Sequence, residues 1–207
     1  MKMKFAGWAL GLFWLLGGLS AGTAEEGEEK KPVLPPPPEA VTALFKPISP
    51  KEIPGNMIKL VGDDWMLISA GNEEKFNGMT ASWGGFGVWN KPVAFILVHK
   101  DRYTYEFLER EEYFTLSFFE EKYRPQLKMF GTKSGRTVDK LKEAGFTALS
   151  MKPGMAYAEA RMIVVCKKLY AERTKAENWF PPKNAPADPE RVHKLYFGEI
   201  VSVWIKK

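Results

Sequence analysis

A single cysteine, Cys166, among 207 residues excludes a disulfide within the chain. It ends the apolar run Met162-Ile163-Val164-Val165-Cys166 and reads as a small buried hydrophobe. Two histidines, His99 and His193, with no HExxH pattern, leave a zinc hydrolase without its ligand set, and no metal site is expected. There is no GxSxG nucleophile elbow and no GxxxxGK[ST] phosphate loop. Gly84-Gly85-Phe86-Gly87 lacks the strand-to-helix context of a dinucleotide fold. Basic blocks with interleaved aromatics are also missing. The net charge of +5 falls to +3 once Lys2 and Lys4 are set aside, because residues 1–24 hold no acid. Nucleic acid is therefore not an expected partner. A small-molecule binder or a cofactor protein remains.

The N-terminus carries an export pattern. Lys2 and Lys4 precede the apolar stretch Phe5 to Leu19, small residues follow from Ser20 to Ala24, and Glu25-Glu26 come next. This is the n-region, h-region and small-residue site of a secretory signal. Residues 1–24 are read as a signal peptide cut after Ala24, with Ala21 as the second choice. An uncleaved membrane anchor is the alternative, although the apolar run is short for a bilayer span. The expected location is periplasmic or extracellular. Residues 25–54, charged and then proline-rich through Pro35-Pro36-Pro37-Pro38, predict a semi-rigid spacer. Folded structure is expected to begin between Phe45 and Ile58, with residues 55–207 as one domain.

That domain reads as mainly β. Apolar or alternating runs predict strands at Trp65–Ala70, Met79–Trp83, Pro92–Val98, Tyr113–Phe119, Tyr157–Leu169 and Tyr196–Ile205. In Tyr113–Phe119, Phe114, Leu116 and Phe118 share one side, and Thr115 and Ser117 the other. Helices are expected at Arg102–Arg110 with Asp101 as cap, at Glu121–Met129 with Pro125 in its first turn, and at Thr137–Ala144 with Thr137 as cap and Gly145 as stop. Many strands, few helices and no βαβ rhythm predict an antiparallel β-barrel with helical insertions.

Three segments suit a ligand made of a flat ring and an anion. Asn77-Gly78-Met79-Thr80-Ala81-Ser82-Trp83 combines small and hydroxyl residues with a flat indole. His99-Lys100-Asp101-Arg102-Tyr103-Thr104 opens a helix with basic and hydroxyl side chains. Gly131-Thr132-Lys133-Ser134-Gly135-Arg136-Thr137 places two cations and three hydroxyls within seven residues. A β-turn with a core tryptophan, or a solvated helix cap, are the plainer readings of the first two.

The stretch NGMTASWGGFGVWNKPVAFILVHKDRYTYEF resembles the flavin-binding core of the flavin reductase-like family, in its flavoredoxin-type branch. FGTKSGRTVDKLKEAGFT resembles the family's GTxSGRDxDKF segment, and HKLYFGEIVSV its closing strand. The resemblance implies a Greek-key FMN-binding split barrel, a homodimer, and non-covalent FMN. By position it implies that Asn77, Met79, Thr80, Ala81, Ser82 and Trp83 line the ring and ribityl chain. Arg102, Tyr103 and Thr104 would lie near the ribityl or phosphate groups, and Lys133, Ser134 and Arg136 near the phosphate. His193 occupies the family's histidine before the last strand, beside the flavin or a second substrate, or as an interface residue. His99 and Lys100 stand where the family often has arginine and proline, and Thr137 replaces an aspartate. The resemblance implies an oxidoreductase passing electrons through FMN. A non-enzymatic FMN carrier and a barrel that has lost its cofactor are the competing readings. Residues 175–191, proline-rich and polar, match nothing in the pattern and could form a lid or a dimer arm.

Overall fold

A computed structural model describes residues 34–184 and 192–207. The expected signal peptide and residues 185–191 lie outside the described residues.

The chain enters the folded body earlier than expected. Helix α1 (Glu39–Leu44) starts as the Pro38 carbonyl accepts from the N–H groups of Val41 and Thr42. It leads directly into β1 (Phe45–Ile48). Val41 and Phe45 are buried, and β1 pairs antiparallel with the last strand, β10 (His193–Lys206), from Phe45↔Lys206 to Ile48↔Val203. The stretch from residue 39 to 48 therefore belongs to the body and not to a spacer. Two apolar anchors among polar residues and prolines are too sparse to show as a periodic pattern.

After α2 (Met57–Gly62) come β2 (Met66–Gly71), β3 (Phe76–Ala81), β4 (Gly85–Trp89) and β5 (Lys91–His99). Helix α3 (Tyr103–Arg110) leads to β6 (Tyr113–Phe118), then α4 (Arg124–Thr132) and α5 (Lys140–Ala144). The short pair β7 (Ala148–Ser150) and β8 (Met155–Tyr157) precedes β9 (Met162–Arg173) and β10. The main sheet runs β3-β2-β6-β9-β10-β5-β4, with β1 added to β10, and every pairing is antiparallel. Hairpins β2–β3 and β4–β5 sit at its two ends. The sheet curls so that Met66 and Ile68 of β2 share one core with Ala94 and Ile96 of β5 and with Phe114, Leu116 and Phe118 of β6. This is the expected mainly β antiparallel architecture.

A second core, which includes Leu67, Phe119, Phe130, Phe146, Tyr157, Ile163 and Val165, draws on β2, β8, β9 and α4. It explains why the alternation in β6 does not mark a wet face. Thr115 and Ser117 are as buried as their neighbours, and the Thr115 hydroxyl donates to the Met155 carbonyl at 2.5 Å. The expected strand Tyr157–Leu169 is divided at Arg161. Its Nε donates to the Phe119 carbonyl at 3.0 Å and its Nη2 pairs with Asp64 at 2.9 Å, so the guanidinium holds the start of β9.

Helix boundaries differ from expectation at their caps. Arg102, without a side-chain cap bond, precedes α3, and Asp101 is not its cap. Asp139 caps α5 by accepting from the Lys142 N–H at 3.1 Å, while the Thr137 hydroxyl donates to the Ser134 carbonyl. Gly145 ends α5 at φ 67° as expected, and Pro125 lies in the first turn of α4. Residues 175–184 form two 3₁₀ turns, Ala176–Asn178 and Pro182–Asn184, with Phe180 exposed between them.

Candidate functional site

The site grows from one polar contact. Asn77, on β3, is buried, and its Nδ2 donates to the Thr104 hydroxyl at 2.7 Å and to the Gly78 carbonyl at 3.3 Å. Thr104 lies in the first turn of α3, so this bond pins the start of that helix to the strand. The loop after α4 closes over the pair. Gly135 lies so near Asn77 that a Cβ there would sit 2.0 Å from its Oδ1. Around this contact is a cleft of about 80 Å³, lined by Asn77, Met79, Arg102, Tyr103, Lys133 and Ser134, with Thr104 and Lys140 also on its wall. Seven of the expected site residues thus face one space, although 57 positions separate the first from the last.

Their electrostatic roles differ. Arg102 is exposed beside the cleft, with no carboxylate ion pair among the described residues. Lys133 lines it but is paired with Glu143. Arg136 does not line it. Its guanidinium pairs with Glu106, donates to the Asp101 carbonyl at 3.1 Å, and lies 4.9 Å over the Tyr103 ring. Arg136 is thus a clamp between the loop and α3.

One residue in the cleft was not singled out from the sequence. Lys140 is 7% exposed, and its Nζ donates to the carbonyls of Gly78 at 3.0 Å and Phe130 at 2.8 Å. Burial, helped by the nearby positive charge of Arg102, pushes its ammonium down to about 8. The only trace in the sequence is its place in the FGTKSGRTVDKLKEAGFT segment. A lysine in a short helix otherwise reads as solvated.

The tryptophan segment is placed differently along its length. Ala81 is buried in the core, Met79 belongs to both core and cleft, and the Thr80 hydroxyl donates to the Leu127 carbonyl, tying β3 to α4. Ser82 and Trp83 fall in the turn between β3 and β4, outside both ladders. Trp83 Nε1 donates to the Leu97 carbonyl at 2.8 Å and leaves the indole 43% exposed. Its ring is edge-on to His193 at 6.1 Å, which is edge-on to His99 at 5.4 Å. The β5–β10 register places these histidines opposite each other, His193↔His99. Burial first, then the charges of His99 and Arg102, hold the His193 imidazolium below its ordinary range. Trp83, the histidines and Arg102 thus connect the indole turn to the cationic cleft.

Among the described residues no group of three or more histidine, cysteine or carboxylate side chains could hold a metal. A larger cleft of about 610 Å³ is walled by Glu73, Glu74, Glu111 and Glu112, a charge pattern that rejects an anion. The small cationic cleft is the anion-suited one.

Comparison with known proteins agrees with the fold. The structure is similar to a flavoredoxin from Methanosarcina acetivorans at 20% identity, with 70% of this chain and 69% of that one covered and a TM-score of 0.55. An FMN-binding domain of a flavin reductases-like enzyme from Shewanella baltica OS155 matches at 17% identity over 78% and 76% of the two chains, with a TM-score of 0.57. An NADH:FAD oxidoreductase from Streptomyces globisporus matches at 16% over 70% and 78%, with a TM-score of 0.53. No curated protein matches the sequence. Residues 61–207, which carry the sheet, the cleft and the indole turn, match the model of the flavin reductase like domain, and the chain belongs to that family.

Proposed function

We propose that this protein is an exported flavoprotein that binds FMN without a covalent bond and passes electrons through it. The observation that carries the reading is the convergence of Arg102, Lys133, Ser134 and Lys140 on one small cleft, beside the exposed indole of Trp83. A phosphate matches the cleft's donors, and a flat ring matches the indole turn. Similarity to an FMN-binding domain favours FMN over the FAD of the Streptomyces relative. When bound, FMN supplies hydride or single-electron acceptance. The chain's own residues do the rest. Arg102 and Lys133 would hold the anion, and Ser134 would add a hydroxyl donor. The Asn77–Thr104 bond keeps α3 and β3 in register beneath it. Main-chain N–H donors of the turn at Ser82 and Trp83 would be available to stabilise charge that develops on the ring. His193, edge-on to Trp83, would lie near a ring held at the indole turn, where a second substrate could approach.

A homodimer is part of this reading. Val88, Trp89, Leu169 and Tyr170 are exposed, with the Trp89 ring 5.7 Å from that of Phe197, which offers an aromatic face to a second copy. Export rests on residues 1–24 and favours a second reading, a non-enzymatic FMN electron carrier, because soluble NAD(P)H is scarce outside the cytoplasm. Purification of the domain from a flavin-replete host, followed by absorbance spectroscopy and addition of FMN, tests the core claim. Absence of flavin absorbance after both steps refutes it. Turnover of NADH or NADPH with bound FMN then separates the two readings: brisk turnover means a reductase, and a reducible flavin without turnover means a carrier.

A further inference from the structure

The segment that leaves β9 and returns to β10 has no part in the function above, yet it is anchored at the edge of the site. Thr174 donates twice to the His193 carbonyl, from its N–H at 2.9 Å and from its hydroxyl at 3.1 Å. The chain then folds back on itself, with the Asn178 N–H on the Lys175 carbonyl and the Trp179 N–H on that of Ala176. Trp179 and Leu195 line a cleft of about 230 Å³ there. Both side chains are half-buried, so apolar surface borders a gap that it does not fill. Atoms beside such a gap forgo the dispersion contacts that a close-packed partner supplies. Two donors stand at its rim. The Lys175 ammonium comes only within 3.6 Å of Glu172, a carboxylate that already accepts from the Tyr170 hydroxyl. The Asn178 side-chain amide has no hydrogen-bond partner among the described residues.

The place of this cleft in the sheet gives it a use. Leu195 lies two residues beyond His193 on β10, so the two side chains share a face and stand about 7 Å apart along the strand. Across the ladder its partner is Leu97, whose carbonyl holds Trp83 Nε1. A molecule seated against Leu195 therefore lies on the face that carries His193 and the indole turn. The volume is below the range of about 300–1,000 Å³ that drug-sized ligands need, so it suits a molecule of one or two rings. We propose that this cleft seats the second substrate, a small planar aromatic carbonyl compound of the quinone class, and that Trp179 is the residue that selects it. The role as second substrate rests on the flavin function proposed above. The rings would lie against Trp179 and Leu195, because a flat apolar face favours another flat ring. The carbonyl oxygens would accept from Lys175 and Asn178, which are donors in want of an acceptor. Each turnover would move two electrons and two protons from reduced FMN to the two quinone oxygens, leaving oxidised FMN and a hydroquinone.

The test is calorimetric titration of the folded protein, with and without FMN, using 2-methyl-1,4-naphthoquinone as the probe. Cyclohexane-1,4-dione, which has the carbonyls without the flat ring, is the control and should bind at least about tenfold more weakly. Trp179→Ala should weaken the quinone about tenfold, and Trp179→Phe should restore it to within about threefold of the wild type. Lys175→Ala and Asn178→Ala each remove one donor and should cost about threefold to tenfold. None of these residues lines the cationic cleft, so FMN affinity should be the same in all four variants. Quinone binding that is absent, or that is unchanged in Trp179→Ala, overturns the proposal; if FMN still binds, the flavin reading stands without it. Quinone binding that depends on Trp179 in a protein that takes up no FMN upholds the cleft and its ligand class, and overturns the flavin reading instead. Equal binding of the quinone and the dione overturns the assignment of Trp179 as the selecting residue.

Discussion

Gly135 gives the sharpest single-residue test of how the cleft is built. Its φ is not in the left-handed region, so alanine meets no backbone penalty, and the effect is purely one of space. A Cβ would lie 2.0 Å from Asn77 Oδ1 and 3.2 Å from Tyr103 Cδ1. The Asn77 amide has little room to retreat, because it is buried and its Nδ2 is held by Thr104 at 2.7 Å. Either the Asn77–Thr104 bond breaks, at about 1 kcal/mol, or the 133–136 loop lifts by more than about 1 Å as an overpacked site, at about 1–3 kcal/mol. For a body of this size the melting temperature should fall by about 2–12 °C. Lifting the loop also withdraws Ser134 and Lys133 from the cleft. Loss of one charge-assisted hydrogen bond, about 1.5–3 kcal/mol, weakens FMN about tenfold to a hundredfold and leaves riboflavin nearly unaffected. Thermal denaturation without flavin and quenching of flavin fluorescence measure the two effects. Gly62→Ala at the end of α2 is the control, since a Cβ there has no atom within 4 Å, and it should be near neutral. Wild-type melting and wild-type FMN affinity in Gly135→Ala would refute the packing argument.

Other consequences follow from the charges. Lys140 is lowered from 10.5 to about 8, so the unfolded chain binds more protons above pH 8, and its contribution to stability rises with pH up to about 10.5. Between pH 7.5 and 9 that gain is about 1 kcal/mol; urea denaturation of the wild type against Lys140→Gln should show it as a difference, and parallel curves would refute it. Arg102→Ala should weaken FMN more than Arg136→Ala, because only Arg102 faces the cleft without a carboxylate; titrations showing the reverse order would place the phosphate elsewhere. The exposed Arg136–Glu106 pair should contribute only about 0.5 kcal/mol in a double-mutant cycle of unfolding free energies. His193 should titrate below its ordinary range in an NMR experiment. Its depressed value means stability present above pH 6.5 and lost as pH falls, and His99→Gln should raise the midpoint by removing the second cause of the shift, burial being the first.

Local chemistry made much of this protein legible in one dimension. The continuous apolar run of β5, Gly145 after α5, Pro125 at the start of α4 and three ordered motifs each act within a few residues, so their patterns survive in the sequence. They suffice for an antiparallel barrel, and they bring Asn77, Arg102 and Ser134 under suspicion as one site. Local pattern failed where a second layer covers a face. Thr115 and Ser117 alternate as if wet, yet the second core buries them. It failed again for α1 and β1, whose two apolar anchors gain meaning only beside β10.

The identities in the cleft were set by sequence, and their charge states by the fold. Nothing near Arg136 in the chain announces Glu106, 30 positions away, and nothing near Lys140 announces the Gly78 carbonyl, 62 positions away. A side chain's partner, and therefore its charge balance, depends on which distant groups the sheet brings within hydrogen-bonding range. The sequence by itself determined the family, the strand-rich body and the candidate ligands. Only the tertiary structure decided that Arg136 is clamped, that the two histidines face each other across β5 and β10, and that Lys140 is buried with no carboxylate against it among the described residues, because desolvation and ion pairing are properties of neighbours in space.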